Sequence, residues 1–239
     1  GDPLASSHYA VLPQEGHLTQ VLQIFSYLRK YHNTEMVFDP SHPVIDYARF
    51  EQKDWTSSEF GHLQGIEELP PNMPQPRGLG FIMSAKVDAD HAADTVTRRS
   101  RTGFLVILNS SLIYWNSRKQ NSVESSSFGS EFVAMKQCCE YLRGLRYKLR
   151  MMGIPCTGPA YILGDNQSVL SNTSIPDSTL KKKNQSIAYH FIREGAARDE
   201  WRTLYVNTNN NDADLLTKLL PVCDKRKGFV RRLLHHIFG

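Results

Sequence analysis

Acids stand at six positions where the surrounding sequence turns apolar: Asp88 and Asp90 in KVDADHAAD, Glu131 in SSSFGSEFVAM, Asp165 in YILGDNQSV, and Asp212 and Asp214 in NNNDADLLTK. Each has a plain structural use as well as a chemical one. Asp165 and Asn166 are turn formers and helix caps, and a strand-end aspartate taken alone is more often a cap than a ligand. Acids at a helix start, as Asp212 and Asp214 would be, also suit the helix dipole. Glu131 is harder to explain this way. It lies three residues after Phe128 and four before Met135, beside an apolar stripe of Phe128, Phe132, Met135, Cys139, Leu142 and Leu149, and a carboxylate pressed toward a core is costly unless a cation meets it. Carboxylates gathered from a strand, a helix, a second strand and a late helix repel one another until divalent cations hold them. Two Mg²⁺ ions roughly 3.5 to 4 Å apart can activate water and stabilise the leaving oxygen of a phosphodiester. A set of hard oxygen donors without Cys or His favours Mg²⁺ or Mn²⁺ over zinc.

The elements that must position these acids can be read from the patterning. Residues 80–87, 102–108 and 112–115 are short apolar runs separated by turn residues, as in a β-meander. A long helix follows over about 127–152, then the strand of YILG, then a short helix at about 167–172. A helix at about 187–198, a strand at 201–206 and a helix at about 212–220 complete an α/β pattern: a mixed five-stranded sheet covered by helices. Strand alternation puts Asp88 and Asp90 on one face, opposite Ala89. Upstream, an amphipathic helix spans 16–32 (Leu18, Val21, Leu22, Ile24, Phe25, Leu28) and a Pro-punctuated acidic stretch runs over 33–78 as a linker or irregular wrapping segment. The expected organisation is therefore an N-terminal helix and linker at 1–79, a domain at 80–220 and a basic amphipathic helix at 221–239. In that last helix Phe229, Val230, Leu233, Leu234 and Ile237 share one side, and packing on the domain is its first expected role, ahead of binding nucleic acid or an anionic membrane.

Charge separates the two parts. Residues 1–79 hold 5 Lys+Arg and 10 Asp+Glu, net −5, leaving 23 and 14 of the totals of 28 and 24 for residues 80–239, net +9. A basic domain around an acidic cluster suits a polyanionic substrate. With 40% hydrophobic and 22% charged residues the chain has the composition of a globular protein. No apolar run reaches the roughly 18 residues of a membrane span, so no membrane partner is expected, and the first thirty residues lack the pattern of a secretory signal. The four cysteines, Cys138, Cys139, Cys156 and Cys223, show no CxxC spacing, which argues against a zinc site and a disulfide framework.

In the order DAD, SSSFGSEFVAM, GDNQS, YHFIRE, ADLLTKLL, residues 80–220 resemble the ribonuclease H domain that ends the Pol polyprotein of copia-type retrotransposons. PQEGHLTQVLQIFSYLRKYH is similar to the segment that follows the reverse transcriptase there. No YxDD polymerase motif is present. The resemblance implies a ribonuclease H-like fold with helices on both faces of the sheet. It also implies two-metal hydrolysis of the RNA strand of RNA·DNA hybrids, and the reverse transcriptase domain of the same polyprotein as partner. The setting would be intracellular: cytoplasmic, in a virus-like particle, or nuclear. Carried over by motif, Asp88, Glu131, Asp165 and Asp214 are the catalytic and metal-binding acids. Arg98, Arg99, Arg101, Asn166, Gln167, Ser168, Lys181, Lys182 and Lys183 are the expected nucleic-acid contacts. On a helical wheel Asp212 lies nearer the side of Leu215 and Leu219, whereas the family pattern ADxxTK points to Asp214; the expectation is that Asp212 caps the helix and Asp214 reaches the metal. The sequence departs from the family at His91, where the family has Trp, and at Thr208 and Asn209 to Asn211, where many members place a histidine. His190, between two aromatics on a helix, is expected to be packed rather than catalytic, and Ser125 to Ser127 sit where a helix cap belongs. Two rival readings are a degenerate remnant that binds nucleic acid or protein without turnover, and a nuclease of the same fold acting on DNA, as integrases do.

Overall fold

The first strand, β1, runs over Met83–Asp90, so Asp88 and Asp90 close it, as the alternation predicts. It is buried on both faces because it is the middle strand of a five-stranded sheet of order β3-β2-β1-β4-β5. β2 (Arg101–Leu108) and β3 (Ser111–Lys119) form the expected antiparallel meander, joined at Asn109, whose φ of 53° suits an Asn in a tight turn. β4 (Ala160–Gly164) runs parallel to β1, and β5 (Trp201–Tyr205) runs parallel to β4. The computed structural model describes residues 15–180 and 185–235.

The long helix α2 (Ser127–Met151) is capped by Ser126, whose hydroxyl accepts the Gly129 N–H at 3.2 Å. It buries Phe132, Met135, Cys138, Cys139 and Leu142, each large apolar side chain contributing about 1.5–3 kcal/mol of transfer free energy. α3 (Gln167–Ser174) and α4 (Ser186–Ala197) follow. The last element over the sheet is a single turn, α5 (Asp214–Thr217), shorter than the helix expected over 212–220. Lys218 is already extended, and Pro221 keeps the helix from resuming. Phe104 faces Tyr141 of α2, with ring centroids 5.8 Å apart, whereas a Cβ on its neighbour Gly103 would come within 2.5 Å of Thr217 Cγ2. Successive strand residues point to opposite faces, so α2 and α5 cover opposite sides. The fold is the ribonuclease H-like mixed sheet with helices on both faces.

Two compact units make up the chain, Phe38–Lys218 and Gly1–Val37 with Leu219–Gly239. The division therefore falls at 38 and 218, where the sequence suggested 79 and 220. Most of the acidic Pro-punctuated stretch belongs to the sheet unit and wraps it as a belt. The Asp39 carbonyl accepts from Ser111 Oγ, Phe50 and Tyr47 pack their rings on Tyr161, and the Phe50 carbonyl accepts from Arg202. Trp55 is buried, and Glu67 receives bidentate pairs from Arg146 and Arg150 on α2. In the other unit, α1 (Glu15–Lys30) buries none of its residues and leaves Leu18, Leu22, Phe25 and Leu28 more than half exposed. α6 (Asp224–Leu233) buries Phe229, with Lys225 and Arg232 over its ring, and Glu35 pairs with His235 as an isolated bridge. Ile237 lies outside the described residues. Among the described residues no helix is long and apolar enough to cross a membrane.

Candidate metal centre at the ends of the central strands

β1 and β4 are parallel neighbours, so their carboxyl ends open on the same edge of the sheet, where α/β folds place ligands. Asp88 is on β1, Asp165 follows β4 directly, and Glu131 stands in the second turn of α2. One carboxylate oxygen from each of Asp88, Glu131 and Asp165 lies within 4.8 Å of the other two. Beside them, Glu131 and Asp165 line an open depression of about 390 Å³ with Asn166, Gln167, Ser168 and Tyr205.

The electrostatics show how crowded this edge is. Burial pushes the Glu131 carboxyl up to about 9, and the charges of Asp88 and Asp165 push in the same direction. Burial also raises Asp88, to about 6, although Lys218 and a hydrogen bond from Thr217 pull it back. Asp90 is raised by burial and lowered by Lys218 and by Arg101, its cross-strand partner. Asp214, fully buried, meets Lys218 Nζ at 2.7 Å, and the same amine reaches Asp88 Oδ1 at 3.1 Å. Thr217 Oγ1 donates to the other Asp88 oxygen, and Thr208 Oγ1 donates to Asp165 Oδ2 at 2.8 Å. Thr208 is the residue that stands in the loop where many family members carry histidine.

Asp88, Glu131 and Asp165 thus converge, and Asp214 joins them through Lys218. Asp212 does not cap α5, whose N-cap is Ala213 with no side-chain hydrogen bond; it closes on Lys86 of β1, which also donates to the Asn210 carbonyl at 3.1 Å. A buried carboxylate next to a strand lysine is better satisfied by that charge than by backbone N–H groups of a single turn. Asn166 caps α3 by accepting the Val169 N–H, which leaves the exposed Gln167 and Ser168 at the mouth of the depression. Arg98 and Arg99 are exposed on the loop leaving β1, and Arg101 opens β2 with a guanidinium hydrogen bond to Ser117 Oγ. Lys181, Lys182 and Lys183 lie outside the described residues. His190 pairs with Glu59 of the belt at 3.3 Å, and His91 Nδ1 sits 2.7 Å from the hydroxyl of Ser130, the neighbour of Glu131.

No protein-family model matches the chain. It is 29% identical over 144 residues to the retrovirus-related Pol polyprotein from transposon TNT 1-94 of Nicotiana tabacum, over 60% of this chain and 11% of that protein. It is 31% identical over 188 residues to the corresponding polyprotein from transposon RE1 of Arabidopsis thaliana, over 74% and 13%. This chain is a homologue of the retrovirus-related Pol polyproteins of plant copia-type transposons. The Pol homologue spans about a tenth of the length of those relatives. Similar solved structures include RNase H1 from the halophilic archaeon Halobacterium salinarum NRC-1, with a TM-score of 0.43 at 13% identity over 56% of this chain and 93% of that one. LC11-RNase H1 in complex with an RNA/DNA hybrid gives a TM-score of 0.45 at 12% identity, with the same coverage. In the Pol homologue, the residue that sequence reasoning passed over is Lys218. Its signal was present in ADLLTK, where a lysine four residues after Asp214 shares its helix face.

Proposed function

We propose that this Pol homologue is a retroelement ribonuclease H that hydrolyses the RNA strand of RNA·DNA hybrids, leaving a 3′-hydroxyl, with Asp88, Glu131, Asp165 and Asp214 as the metal-binding acids. The observation that carries the reading is the convergence of Asp88, Glu131 and Asp165 within 4.8 Å. The donor set fits Mg²⁺ or Mn²⁺: all ligand atoms are carboxylate oxygens, and burial and mutual repulsion hold Glu131 and Asp88 well above the ordinary carboxylate range until positive charge arrives. Two such ions would supply an activated water and neutralise charge building on the phosphodiester. The chain's own groups orient that chemistry. The Thr208 hydroxyl fixes Asp165, and the Thr217 hydroxyl fixes Asp88. Arg98, Arg99, Arg101, Gln167, Ser168 and Lys181 to Lys183 are the groups assigned to the nucleic acid, with Asn166 capping the helix that begins at Gln167 and Ser168. The reverse transcriptase domain of the same polyprotein is the assigned partner, within the cell that houses the element.

The test is cleavage of labelled RNA·DNA hybrid, duplex DNA and duplex RNA in Mg²⁺, Mn²⁺ and EDTA. Hybrid-specific cleavage that EDTA abolishes is expected. Cleavage of duplex DNA alone would make the protein a DNA nuclease, and salt-sensitive binding without cleavage of any substrate would make it a binding module.

A further inference from the structure

One amine serves two fully buried carboxylates at the edge of this centre. Lys218 Nζ lies 2.7 Å from Asp214 Oδ1 and 3.1 Å from Asp88 Oδ1. Asp88 and Asp214 are both completely buried, whereas the lysine side chain keeps about a third of its surface, 32%, open to solvent. Lys218 sits on the first extended residue after the α5 turn, with φ −116° and ψ 144°, so its side chain leaves the helix at the point where the chain turns away. The other acids are arranged differently. Asp88, Glu131 and Asp165 bring three oxygens around one position, and Asp214 is outside that group. Asp212 is engaged by Lys86. The four acids therefore form two cation positions that share Asp88, and an ammonium already fills one of them.

A divalent ion and an ammonium cannot use the same two carboxylate oxygens, and like charges a few ångströms apart repel strongly in a buried setting. Mg²⁺ also demands close and regular oxygen geometry, which a lysine between two of its ligands denies. A lysine that is partly exposed on a flexible four-carbon stem can leave if another anion receives it. The anion that would come to this edge is a backbone phosphate.

We propose that Lys218 is a resident cation of the centre: it holds the Asp88–Asp214 position in the nucleic-acid-free protein, so that one divalent ion enters first at Asp88–Glu131–Asp165 and a second enters only when a substrate phosphate draws Lys218 away. The inference rests on the metal-centre reading above. It makes Lys218 a positioning residue that couples ion loading to substrate binding, and keeps the nucleic-acid-free site from its full complement of ions.

Counting bound Mn²⁺ on the full chain by calorimetry and electron paramagnetic resonance tests this. Without nucleic acid, the unsubstituted protein should bind one Mn²⁺ per chain, and a hybrid with a 2′-O-methylated RNA strand should raise the count to two. Lys218→Met and Lys218→Gln should bind a second ion at least about tenfold more tightly than the unsubstituted protein without any nucleic acid, whereas Lys218→Arg, which keeps the charge, should stay at one. Having lost their internal cation, the two neutral variants should melt lower in EDTA and gain more from Mn²⁺; Gln, which can still hydrogen-bond Asp214, serves if Met does not fold. Two ions on the unsubstituted protein without nucleic acid, or a count of one in every variant, would overturn the role of Lys218 and leave the metal centre standing. No Mn²⁺ on any form would overturn the metal centre itself.

Discussion

Two buried ionic clusters lie in the sheet unit and are built in opposite ways. Where the belt crosses α2, one carboxylate, Glu67, faces two guanidinium groups. Arg146 and Arg150 each donate two hydrogen bonds to it at 2.5 to 2.9 Å, and Arg146 also donates to the Gly158 carbonyl. Burial tends to raise the Glu67 carboxyl, but the hydrogen bonds from Arg150 and Arg146 outweigh it and hold the group at about 2. At the end of the central strands, four acids gather with one lysine, which pairs with only two of them, Asp88 and Asp214, and burial drives Glu131 and Asp88 upward. The first cluster is complete without help and fastens one segment to another. The second is short of positive charge and stores that deficit at the open edge of the sheet. A folded protein tolerates such a deficit where a ligand later removes it.

Substitutions should split cleanly between the two. Asp165→Asn should leave the unfolding transition nearly unchanged and Asp214→Asn, which loses the charge facing Lys218, should cost no more than about 1–3 kcal/mol; both should lower hybrid cleavage by about a hundredfold or more, because a neutral amide is a poor ligand for a hard cation and even loss of a supporting residue costs about 10–100-fold. Glu67→Ala should do the reverse. It leaves Arg146 and Arg150 without their carboxylate and should cost about 3–5 kcal/mol in urea unfolding, with cleavage per folded molecule retained. If Glu67→Ala silenced cleavage without destabilising, the contrast between a fastening cluster and a reacting one would collapse.

The pH dependence of stability, measured without metal, sharpens the contrast because the two clusters slope in opposite directions. Glu67 is held near 2 against an ordinary 4.5. Its contribution is fully present above 4.5 and is lost as pH falls toward 2. Glu131 stands near 9 against 4.5. The folded protein keeps a proton that the unfolded chain releases above 4.5, so this group lowers stability progressively as pH rises from 4.5 to 9. Glu67→Gln should flatten the acid limb, and Glu131→Gln should flatten the alkaline limb and raise metal-free stability at neutral pH. An alkaline limb that Glu131→Gln leaves unchanged would mean that the acid edge carries no stored repulsion.

A smaller effect is expected next door. Asp212→Asn leaves Lys86 with the Asn210 carbonyl and an amide oxygen, and should cost about 1–3 kcal/mol while hybrid cleavage continues. Loss of cleavage in Asp212→Asn with retention in Asp214→Asn would exchange the roles assigned to the two aspartates.

The acids that meet at the strand ends were legible in the chain because each follows from a short-range period. Alternation in β1 aligns Asp88 with Asp90, 3.6-residue periodicity in α2 sets Glu131 beside its apolar stripe, and Gly164 ends β4 just before Asp165. The meander, the long helix and the mixed sheet followed from the same periods. What escaped the sequence depends on pairings far along the chain. Glu67 meets Arg150 across 83 positions, and Lys218 meets Asp88 across 130; no local pattern marks the first, and the spacing in ADLLTK marks only the pairing of Lys218 with Asp214, not that with Asp88. The belt holds by isolated anchors, Phe50, Trp55 and Glu67, that follow no period, so the sequence left it open between a linker and an irregular wrapping segment. The capping role expected of Asp212 failed for a similar reason, since Lys86 lies 126 positions away.

The central claim is that Asp88, Glu131 and Asp165 form a charge-deficient site built for divalent ions, and calorimetric unfolding in EDTA and in millimolar Mn²⁺ tests it most directly. The unsubstituted protein should melt higher in Mn²⁺ by an amount that grows with the logarithm of ion concentration over its Kd. The triple variant Asp88→Ala, Glu131→Ala, Asp165→Ala should melt at the same temperature with and without the ion. No shift in the unsubstituted protein, or an equal shift in the triple variant, would contradict the account.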